Sequence, residues 1–276
     1  MASILGLQAP DPSRPLRAVD NRLKGRLALV TGASGGIGEA IARSLARAGC
    51  HLALHYNSAS KADRMAAFAQ ELEAAHPDSV FVVCHADLSS AEDAQGLVPT
   101  VLLKTKLAGK ACPSNVEILV LNAGLGLRRT SIDEVTLEDL RSTLDVNVVA
   151  PFLLCQAVLP AMRKAQWGRI IANSSISGHS GTSANAAHYA ASKGALTSLI
   201  KNLANREAQH GITCNAVSPA MIESTGMIPQ HTDKADDVSR QIASQIPLGR
   251  LGQPDEIASS NGYMTGADIV CSGGLK

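Results

Sequence analysis

The stretch HYAASKGAL, residues 188–196, sets a phenol, Tyr189, four residues before an ammonium, Lys193. On a helix, positions i and i+4 stack one turn apart on the same face. A lysine so placed can tune a tyrosine's acidity, and the pair is then a candidate proton donor with its cation. The same spacing also describes a phenol and an ammonium on a surface, and spacing alone leaves both readings open. A second chemical feature is TGASGGIGEAIARSLA, where Gly32, Gly36 and Gly38 form a G-x-x-x-G-x-G turn. It lies between an apolar run, RLALV, and an amphipathic pattern with Ile37, Ile41, Leu45 and Ala48 at helical steps. Glycines there permit a tight turn and close approach of a pyrophosphate. The helix start that follows offers free N–H groups and a partial positive charge. Nucleotide binding through Gly32, Ser34, Gly36, Ile37 and Gly38 is the expectation.

The elements that must hold these groups alternate along the chain. Seven short apolar runs read as strands: RLALVT, CHLALHY, VFVVCHA, VEILVLN, GRIIANS, GITCNAV and ADIVCSG. Most are continuously apolar, as in strands buried on both faces, and helical patterns separate them. The predicted fold is α/β, a doubly wound Rossmann-type parallel sheet with helices on both faces. There is no internal repeat and no low-complexity linker, so residues 25–276 form one predicted domain. The proline-containing residues 1–24 read as a mobile tail, with a targeting segment as the alternative.

Composition excludes several classes. A net charge of +1 gives no electrostatic footprint for nucleic acid or an anionic membrane, and 3% aromatics leaves no stacking platform for single strands. No uninterrupted apolar run is long enough to span a bilayer. The six cysteines are scattered, without CxxC pairs, and read as small buried hydrophobes in a reducing compartment. A cytoplasmic location is expected, with a mitochondrial one as the alternative. His179 and His188 flank the tyrosine's surroundings without metal-ligand spacing, so they read as polar lining and no metal site is expected.

The cofactor's ribose leaves a signal at the end of the second strand. Dinucleotide folds selective for NAD usually place an acid there. Here LHYNSASKADR has none before Asp63, while Asn57, Ser58, Ser60, Lys61 and Arg64 could donate to a 2′-phosphate. NADP is favoured. The competing reading is a polar loop with a helix cap.

In this setting the chain resembles the short-chain dehydrogenase/reductase family over nearly all of residues 25–276. TGASGGIG is similar to the family's cofactor turn, and ADLSS to the acidic turn after the third strand, which implies Asp87 and Leu88 near the adenine. LNAG implies Asn122, Ala123 and Gly124 beside the cofactor. DVNV, NSSISG and YAASK bring Asn147, Ser175, Tyr189 and Lys193 as the implied catalytic set. NAVSPAMIES resembles the nicotinamide-side loop and implies Pro219, Ile222 and Ser224. The resemblance implies that Tyr189 is the acid/base and that Ser175 holds the substrate oxygen. It implies that Lys193 bonds the nicotinamide ribose and, with the oxidised ring, lowers the phenol's pKa. Asn147 would anchor a water relay from Lys193.

Three departures stand against the family pattern. Leu121 replaces a usual Asn, with an effect expected on stability and not on chemistry. Ala220 replaces a usual Gly, which would cost roughly a kcal/mol if that position needs a positive φ. The helix beginning at Pro254 is cut short by Asn261–Gly262, which should uncover apolar area near the last strand. The loop within VLLKTKLAGKACPSNVEIL is longer than usual and reads as a surface elaboration.

The sequence therefore predicts an NADP(H)-dependent oxidoreductase interconverting a carbonyl and an alcohol, closest in pattern to 3-oxoacyl-carrier-protein reductases, and a homo-oligomer, dimer or tetramer. Arg128 and Arg129 could meet an acidic substrate or carrier, but a solvated loop pair is the preferred reading. The alternatives are a nucleotide-binding sensor or scaffold without turnover, or a variant impaired by the shortened helix. Nucleic-acid binding on the same fold finds no support in the charge pattern.

Overall fold

The computed structural model describes residues 20–129, 131–181, 187–223, 225, 239–258 and 264–275. All seven predicted strands are present: β1 (Leu27–Val30), β2 (His51–Tyr56), β3 (Phe81–His85), β4 (Ile118–Leu121), β5 (Gly168–Asn173), β6 (Ile212–Pro219) and β7 (Asp268–Cys271). They form one parallel sheet in the order β3-β2-β1-β4-β5-β6-β7. The helices are α1 (Gly36–Arg47), α2 (Ala62–Ala75), α3 (Ala91–Leu107), α4 (Leu137–Leu144), α5 (Ala150–Ala165), the single turn α6 (Ser177–Ser180) and α7 (Ala187–Glu207).

Side chains alternate across a strand, so a strand with helices on both faces must be apolar throughout. In β1, Leu27 and Leu29 pack into the layer of α3, α5 and α7, while Ala28 and Val30 pack into that of α1 and α2; all four are fully buried. Strand order reverses direction between β1 and β4. The loops after those strands therefore flank a crevice at the carboxyl edge of the sheet, where open α/β sheets bind ligands.

Helical turns run without a break from Leu137 to Ala165, with a π turn at Asp145–Val149 joining α4 and α5. The stretch is 29 residues long and apolar enough to cross a membrane by length and composition, although no uninterrupted apolar run in it reaches that length. Leu154, Cys155, Val158, Leu159 and Met162 pack it into the core.

Residues Asp20–Lys24, assigned above to the tail, lie against the domain. Trp167 Nε1 and Arg169 donate to the Asp20 carbonyl, the Asp20 carboxylate pairs with Arg26, and Cys50 Sγ contacts the Leu23 carbonyl. Leu121 is buried in the core on β4. Ala220 carries no strain, because Gln166 is the one non-glycine residue with a positive φ among those described. Among the described residues, the segment from Pro254 makes a 3₁₀ turn, Pro254–Ile257, whose Ile257 packs with Val217 and Ile222, while Asn261 and Gly262, where the helix was expected to stop, lie outside the described residues. Val270, on the edge strand β7, is 53% exposed.

Candidate active site

The glycine turn follows β1 directly. Gly32 has φ +65°, and a Cβ on Gly38 would lie 2.2 Å from the Gly32 carbonyl oxygen. Neither position accepts a side chain. The N-cap of α1 is Gly35, with no capping side chain, so the N–H groups of Gly36, Ile37 and Gly38 open towards the crevice. A cradle of this kind fits a pyrophosphate. Asn122, after β4, donates through Nδ2 to the carbonyls of Thr31 and Gly32, and Asn173 donates to Asn122 Oδ1. The Thr31 hydroxyl accepts from the N–H groups of Asn122 and Ala123 and donates to the Val120 carbonyl. The ends of β1, β4 and β5 are thereby tied into one frame. Asn173 Oδ1, buried and without a partner among the described residues, adds an acceptor at its edge.

His55 supports the turn from beneath and was not singled out from sequence. Its Nδ1 accepts from the Gly32 N–H at 3.0 Å and its Nε2 lies 3.0 Å from the Ala86 carbonyl. That arrangement requires the neutral ring with its proton on Nε2. Burial pushes its pKa down to about 4. A polar residue in the otherwise apolar LALHY was the available signal.

At the end of β2, Lys61 Nζ lies 3.3 Å from Ser34 Oγ, above the glycine turn. Arg64 is held by Glu39, so of the two expected cations Lys61 is the one at the turn. Ser58 pairs its hydroxyl with Ser60. Asn57, with its amide nitrogen turned to the acceptors, donates to the Ala86 carbonyl and to Asp87 Oδ1. Asp87 also accepts from Ser89, which fixes its carboxylate at the crevice, and Leu88 is buried behind it.

The implied catalytic residues converge on α7. Lys193 is 3% exposed; its Nζ donates to the Asn173 carbonyl at 2.7 Å and lies 5.6 Å from the centre of the Tyr189 ring. A Cβ on Gly124 would come within 3.3 Å of that nitrogen, so glycine keeps the space beside it open. Burial lowers the Lys193 pKa to about 8. Burial also pushes the Tyr189 phenol up to about 12, against a smaller opposing pull from the facing Ser175 hydroxyl. The expected depression by Lys193 is not among the causes of the shift: burial outweighs the pull of Ser175, and the phenol is held as an acid.

Asn147 is fully buried in the π turn between α4 and α5. Its Oδ1 accepts from the Leu125 N–H, and its Nδ2 donates to the Leu125 carbonyl and to Ser192 Oγ. The amide thus clamps the loop after β4 to α7; π turns often occur at functional sites. Pro219 ends β6, where its carbonyl accepts from Ile176. The Ile222 side chain points into the cluster with Val217 and Ile257, and its carbonyl accepts from the Thr225 hydroxyl. Ser224 lies outside the described residues. Arg129 is held bidentate by Asp139, so it is not a free cation for a carrier. His188 is buried, with neither ring nitrogen bonded among the described residues.

The chain has known counterparts. A profile of the short chain dehydrogenase family matches residues 26–236. The chain is 34% identical over 262 residues to the 3-oxoacyl-[acyl-carrier-protein] reductase FabG of Rickettsia bellii, covering 92% of this chain and 98% of that one. It is 33% identical over 260 residues to the acetoacetyl-CoA reductase of Allochromatium vinosum, covering 91% and 98%. Among solved structures it superposes on a blue fluorescent protein from a metagenomic library in complex with NADPH. That match has a TM-score of 0.79 and 32% identity, and covers 92% and 99% of the two chains. The chain belongs to the short-chain dehydrogenase/reductase family and is an oxidoreductase.

Proposed function

We propose that this protein is an NADPH-dependent reductase that converts the 3-oxo group of an acyl thioester to a 3-hydroxyl group. The observation that carries the reading is a buried phenol, Tyr189, held as an acid between the Ser175 hydroxyl and the Lys193 ammonium. Supporting it are relatives named for 3-oxoacyl and acetoacetyl thioesters and an NADPH-bound structural neighbour. The glycine cradle would hold the pyrophosphate, Lys61 with Asn57 and Ser58 the 2′-phosphate, Asp87 the adenine side, and Asn122–Gly124 and Lys193 the nicotinamide side.

When bound, the nicotinamide would deliver a hydride to the carbonyl carbon. The chain's own groups manage the oxygen. Ser175 donates a hydrogen bond to it, and Tyr189 gives it the phenolic proton. A phenol near 12 keeps that proton until the oxygen gains charge, and positioned acids of this kind contribute roughly 10²–10⁴-fold. The phenolate that remains lies beside the Lys193 ammonium, which stabilises it. With its own pKa near 8, Lys193 can pass a proton on. Asn147 holds α7 and the loop after β4 in register for this exchange.

The exposed Val149 and Phe152 on the helix through α5 support assembly into a homo-oligomer. Free and mostly buried cysteines support a reducing compartment such as the cytoplasm. A second reading, nucleotide binding without turnover, is favoured by one observation, the exposure of Val270 on the edge strand β7. Oxidation of NADPH by acetoacetyl-CoA, followed at 340 nm beside an NADPH-binding titration, separates the two. Turnover supports the reductase; binding without turnover of this or longer 3-oxoacyl thioesters supports the alternative.

A further inference from the structure

We propose that His179 and Asp268 act as a positioning pair that fixes the Ser175 segment to the last two strands, making the edge strand β7 part of the active-site framework. The proposal rests on the reading of Ser175 as the group that holds the substrate oxygen. Ser175 lies two residues before α6, a single turn that cannot hold its own geometry. One face of that turn is fixed by packing: a Cβ on Gly178 would lie 2.8 Å from the Gly194 nitrogen of α7. Its start is fixed by the Ile176 N–H donating to the Pro219 carbonyl at 3.1 Å.

The far side is held by side chains. Nε2 of His179 lies 2.5 Å from Oδ2 of Asp268, the first residue of β7, and 3.3 Å from Oγ of Ser218 on β6. Ser218 Oγ donates to the other carboxylate oxygen, Asp268 Oδ1, at 2.6 Å. Because the serine gives its proton to the carboxylate, its lone pair is left to accept from Nε2–H of His179. The carboxylate oxygen and the hydroxyl therefore converge on one imidazole nitrogen, and that nitrogen carries the proton. The contact to Oδ2 is close enough for an ion pair, although it lies off the line of a directed hydrogen bond.

The carboxylate side chain of Asp268 is 7% exposed, and Ser218 is fully buried. A buried carboxylate is costly unless paired, so Asp268 has reason to hold His179 in place. The residue types suggest a nucleophilic triad, but the bonding does not. The serine donates to the aspartate and is sealed from solvent, so it has no base and no access to substrate. What the set does is mechanical. α6, the end of β6 where the Pro219 loop begins, and β7 meet at one imidazole, two residues beyond the Ser175–Ser177 hydroxyl pair.

Substitution at His179 tests the assignment through two readouts. In His179→Ala, amide hydrogens of residues 174–181 should exchange about tenfold faster, with α7 protection beyond Lys193 unchanged. Turnover of acetoacetyl-CoA should fall about tenfold at saturation while KM for NADPH stays within about twofold. His179→Gln, whose amide can donate to both acceptors, should restore most of each loss. His179→Asn, too short to reach them, serves in place of the alanine variant if that one fails to fold. Unchanged exchange at 174–181, or a loss that Gln does not rescue, would overturn the proposal. If the wild-type protein turns over no 3-oxoacyl thioester, the proposed function fails on its own, and the exchange comparison still decides the role of the pair.

Discussion

The Gly32 amide donates to Nδ1 of His55, 23 residues along the chain and one strand away, so the cofactor turn rests on a neutral imidazole. Burial holds this ring near pKa 4 in the folded protein, against 6.5 for an ordinary histidine. Between those values the unfolded chain takes up a proton that the folded one refuses. Stability from this group is complete above about pH 6.5 and is lost as the pH falls towards 4, by of the order of 3 kcal/mol in all. His55→Gln keeps a donor and an acceptor but no titration. Its melting temperature should fall less than the wild type's between pH 7.5 and 4.5; parallel falls would remove His55 from the account.

Lys61 sets the expectation for cofactor choice. It stands 3.3 Å from Ser34 Oγ at the glycine turn, whereas Arg64 and Arg43 are engaged with Glu39 and Glu71. Lys61→Ala should weaken NADPH binding by about tenfold, the range of one charge-assisted hydrogen bond, and leave NADH nearly unaffected. Arg64→Ala should do much less. Titrations of both variants with both nucleotides check this, and an equal loss for the two nucleotides would contradict it.

Gly38→Ala places a methyl group 2.2 Å from the Gly32 carbonyl oxygen and 2.8 Å from Asn122 Nδ2. Backbone must move to admit it, and what moves is the pyrophosphate cradle. The expected result is loss of nucleotide binding together with a destabilisation of roughly 1–3 kcal/mol, as for other overpacked sites, read by thermal melting and titration. Gly96, with nothing within 4 Å of its would-be Cβ, is the matched control and should tolerate alanine.

Much of this arrangement was legible in the chain. The seven strands were visible because burial on both faces demands continuous apolar runs such as LALV, and the glycine turn because its backbone tolerates so few residue types. What stayed hidden depends on partners distant in sequence. The docking of Asp20 beneath Trp167 joins residues 147 apart. His55 reads as one polar residue in a strand until Gly32 and Ala86 are beside it. Ala220 stands where the family pattern has a glycine, yet its φ is ordinary, which no residue type could have revealed. Arg129 reads as one of a solvated loop pair until folding brings Asp139 against it.

The pKa values at α7 give the pH dependence of reduction a direction. Tyr189, near 12, stays protonated throughout the neutral range, whereas Lys193, near 8, loses its charge as the solution becomes alkaline. If the ammonium stabilises the nascent phenolate, the maximal rate should decline as pH rises through about 8, about tenfold per unit well above it. A rate that stays level to pH 10 would exclude Lys193 as the titrating group.

The claim that Tyr189 is the proton donor is tested most directly by Tyr189→Phe, which removes one hydroxyl and little else from a buried site. The account predicts that the maximal rate of acetoacetyl-CoA reduction falls by about 10²–10⁴-fold, with NADPH affinity within about threefold of wild type and the melting temperature nearly unchanged. A variant that still reduces the thioester at more than a tenth of the wild-type rate would contradict it.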